Sequence, residues 1–140
     1  MRILLLLMAV CSAFAAAGKI TYSKDFPGST PAFVLVTLEP GGASVYKESI
    51  NDELPLKFNL EEAEAVEIFR LAEKLDHFSR PLESGLKVAR MGTKTFLYEE
   101  GVARHEVKFN YSQDLDAQAL HDWFERIVRV SSGSFIWSDR

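Results

Sequence analysis

Cysteine is nearly absent from this chain: Cys11 is the only one among 140 residues, and it sits inside the first apolar stretch. A disulfide framework is therefore excluded, and so is any site that needs a Cys-x-x-Cys pair. Histidine is almost as scarce. His77, His105 and His121 fall on three different predicted elements, with no His-x-x-x-His spacing to offer two imidazoles to one metal ion. Two glycine patterns are missing as well: the Gly-x-Ser-x-Gly elbow of a serine nucleophile and the Gly-x-Gly-x-x-Gly phosphate loop. Pro40-Gly41-Gly42 comes nearest to a phosphate loop, but a strand-like segment rather than a helix follows it, and no Lys-Ser or Lys-Thr closes it. Basic charge is not in surplus either. Lys and Arg number 16 against 20 Asp and Glu, a net charge of −4, which argues against general nucleic-acid binding because that needs a basic field to displace counterions. Carboxylate pairs for glycoside cleavage are always countable among 20 acids, so their number carries no weight without separations. These absences lead to the expectation of no enzyme activity, no metal and no cofactor.

Long apolar runs are confined to the first residues. Arg2 precedes an apolar run over residues 3–10, and Ser12, Ala13, Ala15, Ala16 and Ala17 follow, which is the order of a secretory leader. The apolar stretch stops short of the ~20 residues a spanning helix needs. Residues 1–17 are thus expected to be a signal peptide cut after Ala17, with Ala15 the other candidate, rather than a permanent anchor. Lipidation of Cys11 is disfavoured, since Val10 is bulky for the position before it. Cleavage leaves residues 18–140 free of cysteine and without Arg2, so that −4 becomes −5, suited to a secreted or periplasmic location with no stable membrane span.

What is present is an ordinary globular composition: 47% hydrophobic and 26% charged residues point neither to disorder nor to a membrane-embedded body. One domain over residues 18–140 is long enough to bury roughly two-thirds of its unfolded surface. Its organising feature is a repeat. Leu56-Lys57-Phe58-Asn59 precedes an amphipathic helix over residues 60–76, and Val107-Lys108-Phe109-Asn110 precedes another over residues 115–130. In each copy the asparagine stands where a helix cap is expected, and Asn59 has Glu62 three residues on. Ala65, Ile68, Phe69, Ala72 and Leu75 form the inward stripe of the first helix; Ala119, Leu120, Trp123, Phe124, Ile127 and Val130 form that of the second. Outward charges on the second helix, His121 to Glu125, Asp122 to Arg126 and Glu125 to Arg129, are all spaced four apart and neutralise one another.

Strands are expected over residues 20–22, 33–38, 43–48, 56–58, 85–91, 93–98 and 102–109, with 33–38 buried on nearly both faces. In the last of these Ala103, His105, Val107 and Phe109 share one face, which places His105 as a core histidine. The fold class that follows is α+β: an antiparallel sheet of about five or six strands with two helices packed on one face, arranged as two hairpin-then-helix units. Residues 131–140 are read as a loose tail whose Phe135-Ile136-Trp137 adds an edge strand or serves as a docking peptide. Asn110-Tyr111-Ser112 matches a glycosylation sequon, but a backbone-capping role for Asn110 accounts for it equally.

Candidate binding residues come from charge density. Lys87, Arg90, Lys94 and Arg104 make the densest basic group in an acidic chain, a docking patch for an anionic protein, cell-wall polymer or lipid headgroup, unless they are simply the polar side of an open sheet. Phe26, in Phe26-Pro27-Gly28-Ser29-Thr30-Pro31, is either an exposed aromatic contact or a plug at the core edge. The order Phe26-Pro27-Gly28-Ser29, Val45-Tyr46, Leu75-Asp76-His77-Phe78 and Val88-Ala89-Arg90-Met91-Gly92-Thr93-Lys94-Thr95 before Phe109-Asn110 resembles small secreted bacterial proteins of uncharacterised function. That resemblance implies an envelope location and a hairpin-helix α+β fold, and it brings no activity or site residues. The functional expectation is a non-catalytic envelope interaction module whose partner is an envelope protein or anionic polymer. A secreted inhibitor of a hydrolase, or an enzyme with an unrecognised site, are the alternatives.

Overall fold

The computed structural model describes residues 18–133, so the expected leader and the Phe135-Ile136-Trp137 segment lie outside the described residues. Six strands, β1 (Lys19–Asp25), β2 (Phe33–Leu38), β3 (Ala43–Lys47), β4 (Leu56–Asn59), β5 (Thr93–Glu100) and β6 (Ala103–Phe109), and two helices, α1 (Glu62–Lys74) and α2 (Leu115–Ser131), make an α+β fold. All neighbouring strands are antiparallel, and their order is β4-β3-β2-β1-β5-β6. The first unit is a four-stranded meander followed by α1, and the second is a hairpin followed by α2. They join where β5 pairs along the whole of β1.

Alternation decides which side of the sheet is covered. Ile20 and Tyr22 of β1, Val34, Val36 and Leu38 of β2, Phe96 and Tyr98 of β5, and Val107 and Phe109 of β6 share one face and are buried. They form a single cluster with Ile68, Leu71, Ala72 and Leu75 around α1 and Ala117, Leu120, Phe124, Ile127 and Val128 of α2. The opposite face carries Thr21, Ser23, Leu35, Thr37, Val45, Thr95 and Leu97, all only partly covered. β2 is therefore buried on one face rather than two, even though it lies well inside the sheet. The buried stripe of α2 is turned relative to expectation: Ala117 and Val128 are inside, while Val130 is exposed.

Both helix starts correct the repeat. Asn59 ends β4 and caps nothing; Glu61 occupies the cap position of α1 and makes no side-chain bond there. Asp114, not Asn110, caps α2, accepting the amides of Asp116 at 2.8 Å and Ala117 at 3.2 Å. After α1 the chain reverses through Asp76, His77 and Phe78, three residues at positive φ (55°, 51° and 66°), a conformation costing about 1–2 kcal/mol per residue. Burial of Phe78 against Phe96, ring centroids 5.0 Å apart, opposes that cost.

The expected strand over residues 85–91 does not form. β5 is already paired on both sides, by β1 and β6, so the segment has no place beside it, and Pro81, Gly85 at φ +71° and Gly92 at φ +96° break extended pairing. Residues 79–92 instead form a long irregular strap. His105 is also corrected. It shares a face with Val107 and Phe109, as its parity requires, but it lies beyond the covered part of that face and is exposed.

Candidate functional site

Arg80 ties the start of the strap to Asp114 at 2.9 Å and Leu82 is buried in the core, and beyond them the strap is fastened to the turn Asn110–Tyr111 that leads from β6 to α2. Glu83 accepts the backbone amides of Asn110 (3.0 Å) and Tyr111 (3.1 Å) on its two carboxylate oxygens, and the Ser84 amide donates to the Tyr111 carbonyl at 2.9 Å. Farther along, the Asn110 side chain takes the other end: its Oδ1 accepts the Met91 amide at 2.8 Å and its Nδ2 donates to the Ala89 carbonyl at 3.1 Å. The backbone bond from Asn110, joined by those from Tyr111 and Ser84, holds the Glu83 carboxyl below its usual range against the opposing effect of burial. Tied at both ends, residues 85–90 stand out as a loop, braced within by Leu86 N to Ser84 Oγ (3.1 Å) and Val88 N to Leu86 O (3.0 Å).

What this loop shows to solvent is unusual for an irregular segment. Leu86 is 51% exposed, Val88 41% and Met91 47%, with exposed Lys87 and Arg90 between them. A strap of this length without regular structure is more often functional than incidental, and a clamped loop on a rigid scaffold is the usual place for a binding surface.

Lys94 is not part of that surface. Its alternation with Phe96 and Tyr98 puts it on the covered face, where it is 4% exposed and donates from Nζ to the Asn110 carbonyl at 2.6 Å. Burial first, and the neighbouring Lys24 second, lower its pKa. Arg104 is surface-exposed, but the β5–β6 register sets it opposite Glu99, at the far end of the hairpin from Lys94 and Phe109, roughly 17 Å along the strand. There it meets Glu106 at 3.4 Å and Glu99 at 4.0 Å. Of the four basic candidates, only Lys87 and Arg90 therefore share one surface. Phe26 is half-buried and packs over Gly92, where a Cβ would come within 2.9 Å of the Phe26 Cβ.

Behind the strap lies a small hollow of about 230 Å3, walled by Met91, Lys94, Phe109, Tyr111, Gln118 and His121. Next to it, Glu125 of α2 reaches down to β1. Its Oε1 accepts Tyr22 Oη at 2.7 Å and Lys24 Nζ at 2.8 Å, and His121 Nε2 lies 3.2 Å from the same oxygen. Burial alone would raise the Glu125 pKa; the close imidazole and the bonds from Lys24 and Tyr22 outweigh it and bring the value down to about 2. Burial, with the Glu125 charge beside it, pushes the Tyr22 hydroxyl well above its usual range. Sequence reasoning placed Glu125 outward. The missed signal was in β1, where Tyr22 and Lys24 fall on the same parity as Ile20 and so require a polar partner from whichever helix covers them.

Among the described residues no group of three or more His, Cys, Asp or Glu side chains is placed to hold a metal ion, and no helix is long and apolar enough to cross a membrane. No protein-family model matches this chain, and no curated protein is similar enough to count as a match.

Proposed function

We propose that this protein is a non-catalytic interaction module of the bacterial envelope, secreted or periplasmic, and that its clamped loop docks an acidic protein partner. One observation carries the reading: a loop held at both ends by Glu83 and Asn110 nevertheless presents Leu86, Val88 and Met91 to water with Lys87 and Arg90 among them. Apolar side chains left exposed on a rigid loop supply contact area at little ordering cost, and the two cations supply sign preference and a faster encounter. The leader read in residues 1–17 and the resemblance to small secreted bacterial proteins support the location. The loop's two fixed ends also suit a hydrolase inhibitor, which presents such a segment to an enzyme cleft.

The test is a pull-down from envelope extracts with the wild type, a Lys87→Glu/Arg90→Glu variant and a Leu86→Ser/Val88→Ser variant. The reading expects a protein band lost in both variants and abolished when the extract is treated with protease. Identical profiles for all three proteins, or a ligand that survives proteolysis, would sink it, and loss of a hydrolase activity on adding the wild type alone would favour the inhibitor.

A further inference from the structure

The covered face of the sheet holds an imbalance of charge. Lys24 and Lys94 are direct cross-strand partners on β1 and β5, both on the side that α2 roofs over. Like charges in this arrangement repel, and burial strengthens the repulsion. Glu125 answers Lys24 at 2.8 Å. No carboxylate comes within 4 Å of Lys94 among the described residues, and of its three N–H donors only one has a protein acceptor, the Asn110 carbonyl. The nearby Glu83 is occupied by three backbone amides. A buried ammonium with no paired anion is an expensive arrangement, and an anion brought beside it offsets that cost.

Lys94 lies in the wall of the hollow behind the strap, and so does His121, whose Nε2 faces the Glu125 carboxylate at 3.2 Å. Met91 and Phe109 make the apolar part of that wall, and Asp122 stands exposed at the rim. We infer that this hollow is a binding site for a small organic carboxylate, whose anionic group pairs with Lys94 and whose apolar body rests on Met91 and Phe109. The size fits: about 230 Å3 is below the range of drug-sized pockets and admits only a small molecule. The apolar wall favours a carboxylate with an attached apolar group over inorganic phosphate. A macromolecular partner of the neighbouring loop is not required for this site.

Phenylacetate, its uncharged isostere phenylacetamide and inorganic phosphate are the probes, followed by calorimetry and by the amide NMR signals of Asn110, Tyr111, Gln118 and His121. Phenylacetate is expected to bind saturably and shift those signals, with phenylacetamide and phosphate each at least about tenfold weaker. Lys94→Met should weaken phenylacetate by about tenfold or more, and Asp122→Lys, an exposed rim change that leaves Lys94 in place, should strengthen it. The inference is overturned if phenylacetate does not saturate, if phenylacetamide or phosphate binds as well, or if folded Lys94→Met binds undiminished. Should Lys94→Met fail to fold, the isostere and Asp122→Lys decide: equal binding of acid and amide, or no gain in the rim variant, overturns it.

Discussion

The two helical units begin alike in sequence and end in opposite states. Asn59 and Asn110 both follow an apolar-Lys-Phe triplet, yet Asn59 is an exposed strand end, while Asn110 bonds the strap through its amide N–H and both side-chain polar atoms and accepts Lys94 of β5 on its carbonyl. The same contrast runs through the charges of the helices. On α1, Glu67 pairs with Arg70 three residues along the same helix. On α2, Glu125 reaches Tyr22 and Lys24 of β1, while at its start Asp114 reaches Arg80 and Asp116 approaches Lys74. A repeat in sequence thus fixes the order of elements but not the work of its polar residues. At Asn110 and Asp114 the long connection supplies the partners, and at Glu125 the sheet beneath the helix does.

The largest break in this comparison is expected at Glu125. Glu125→Ala leaves Lys24 and the buried Tyr22 hydroxyl without their acceptor and should cost about 2–3 kcal/mol in urea unfolding at neutral pH. The wild type carries a pH signature from the same group. Its folded pKa of about 2 lies below the ordinary 4.5, so its stabilisation is complete above about 4.5 and drains away as pH falls toward about 2. Glu125→Gln should flatten that part of the stability curve.

Next come the caps. Asp114→Ala removes the one oxygen that accepts two amides and the other that pairs with Arg80 and should cost about 1–2 kcal/mol, whereas Glu61→Ala, with no side-chain cap bond to lose, should lie within about 0.5 kcal/mol of wild type. The most pointed contrast, of similar size, is between the paired asparagines. Asn110→Ala should cost about 1–2 kcal/mol by freeing the Met91 amide and the Ala89 carbonyl, and Asn59→Ala should stay within about 0.5 kcal/mol.

Periodicity carried much of this fold. The one covered face of the sheet and the buried stripe of α1 follow from alternation at two and at 3.6 residues, and β2, β3 and β4 appear close to their expected bounds. Alternation also held the information that Lys94 points into the core beside Phe96; counting it with Lys87 and Arg90 because they are close in sequence obscured it. His105 failed for a different reason: parity gives the face of a residue but not how far the helices extend over it. The strap was not legible, because extended-looking residues 85–91 become a strand only if a sheet edge receives them, and here the amide of Met91 goes to the Asn110 side chain instead. Nor was Asn110 itself, since one asparagine before a helix reads as a cap whether it bonds that helix or a distant segment.

Amide hydrogen exchange at Met91 tests the clamp most directly. Protection of that amide in the wild type and in Asn59→Ala, with exchange accelerated at least about tenfold in Asn110→Ala while the β1 amides are unchanged, is the predicted result. Rapid exchange of Met91 in the wild type, or protection that survives Asn110→Ala, would contradict the claim that Asn110 holds the loop in place.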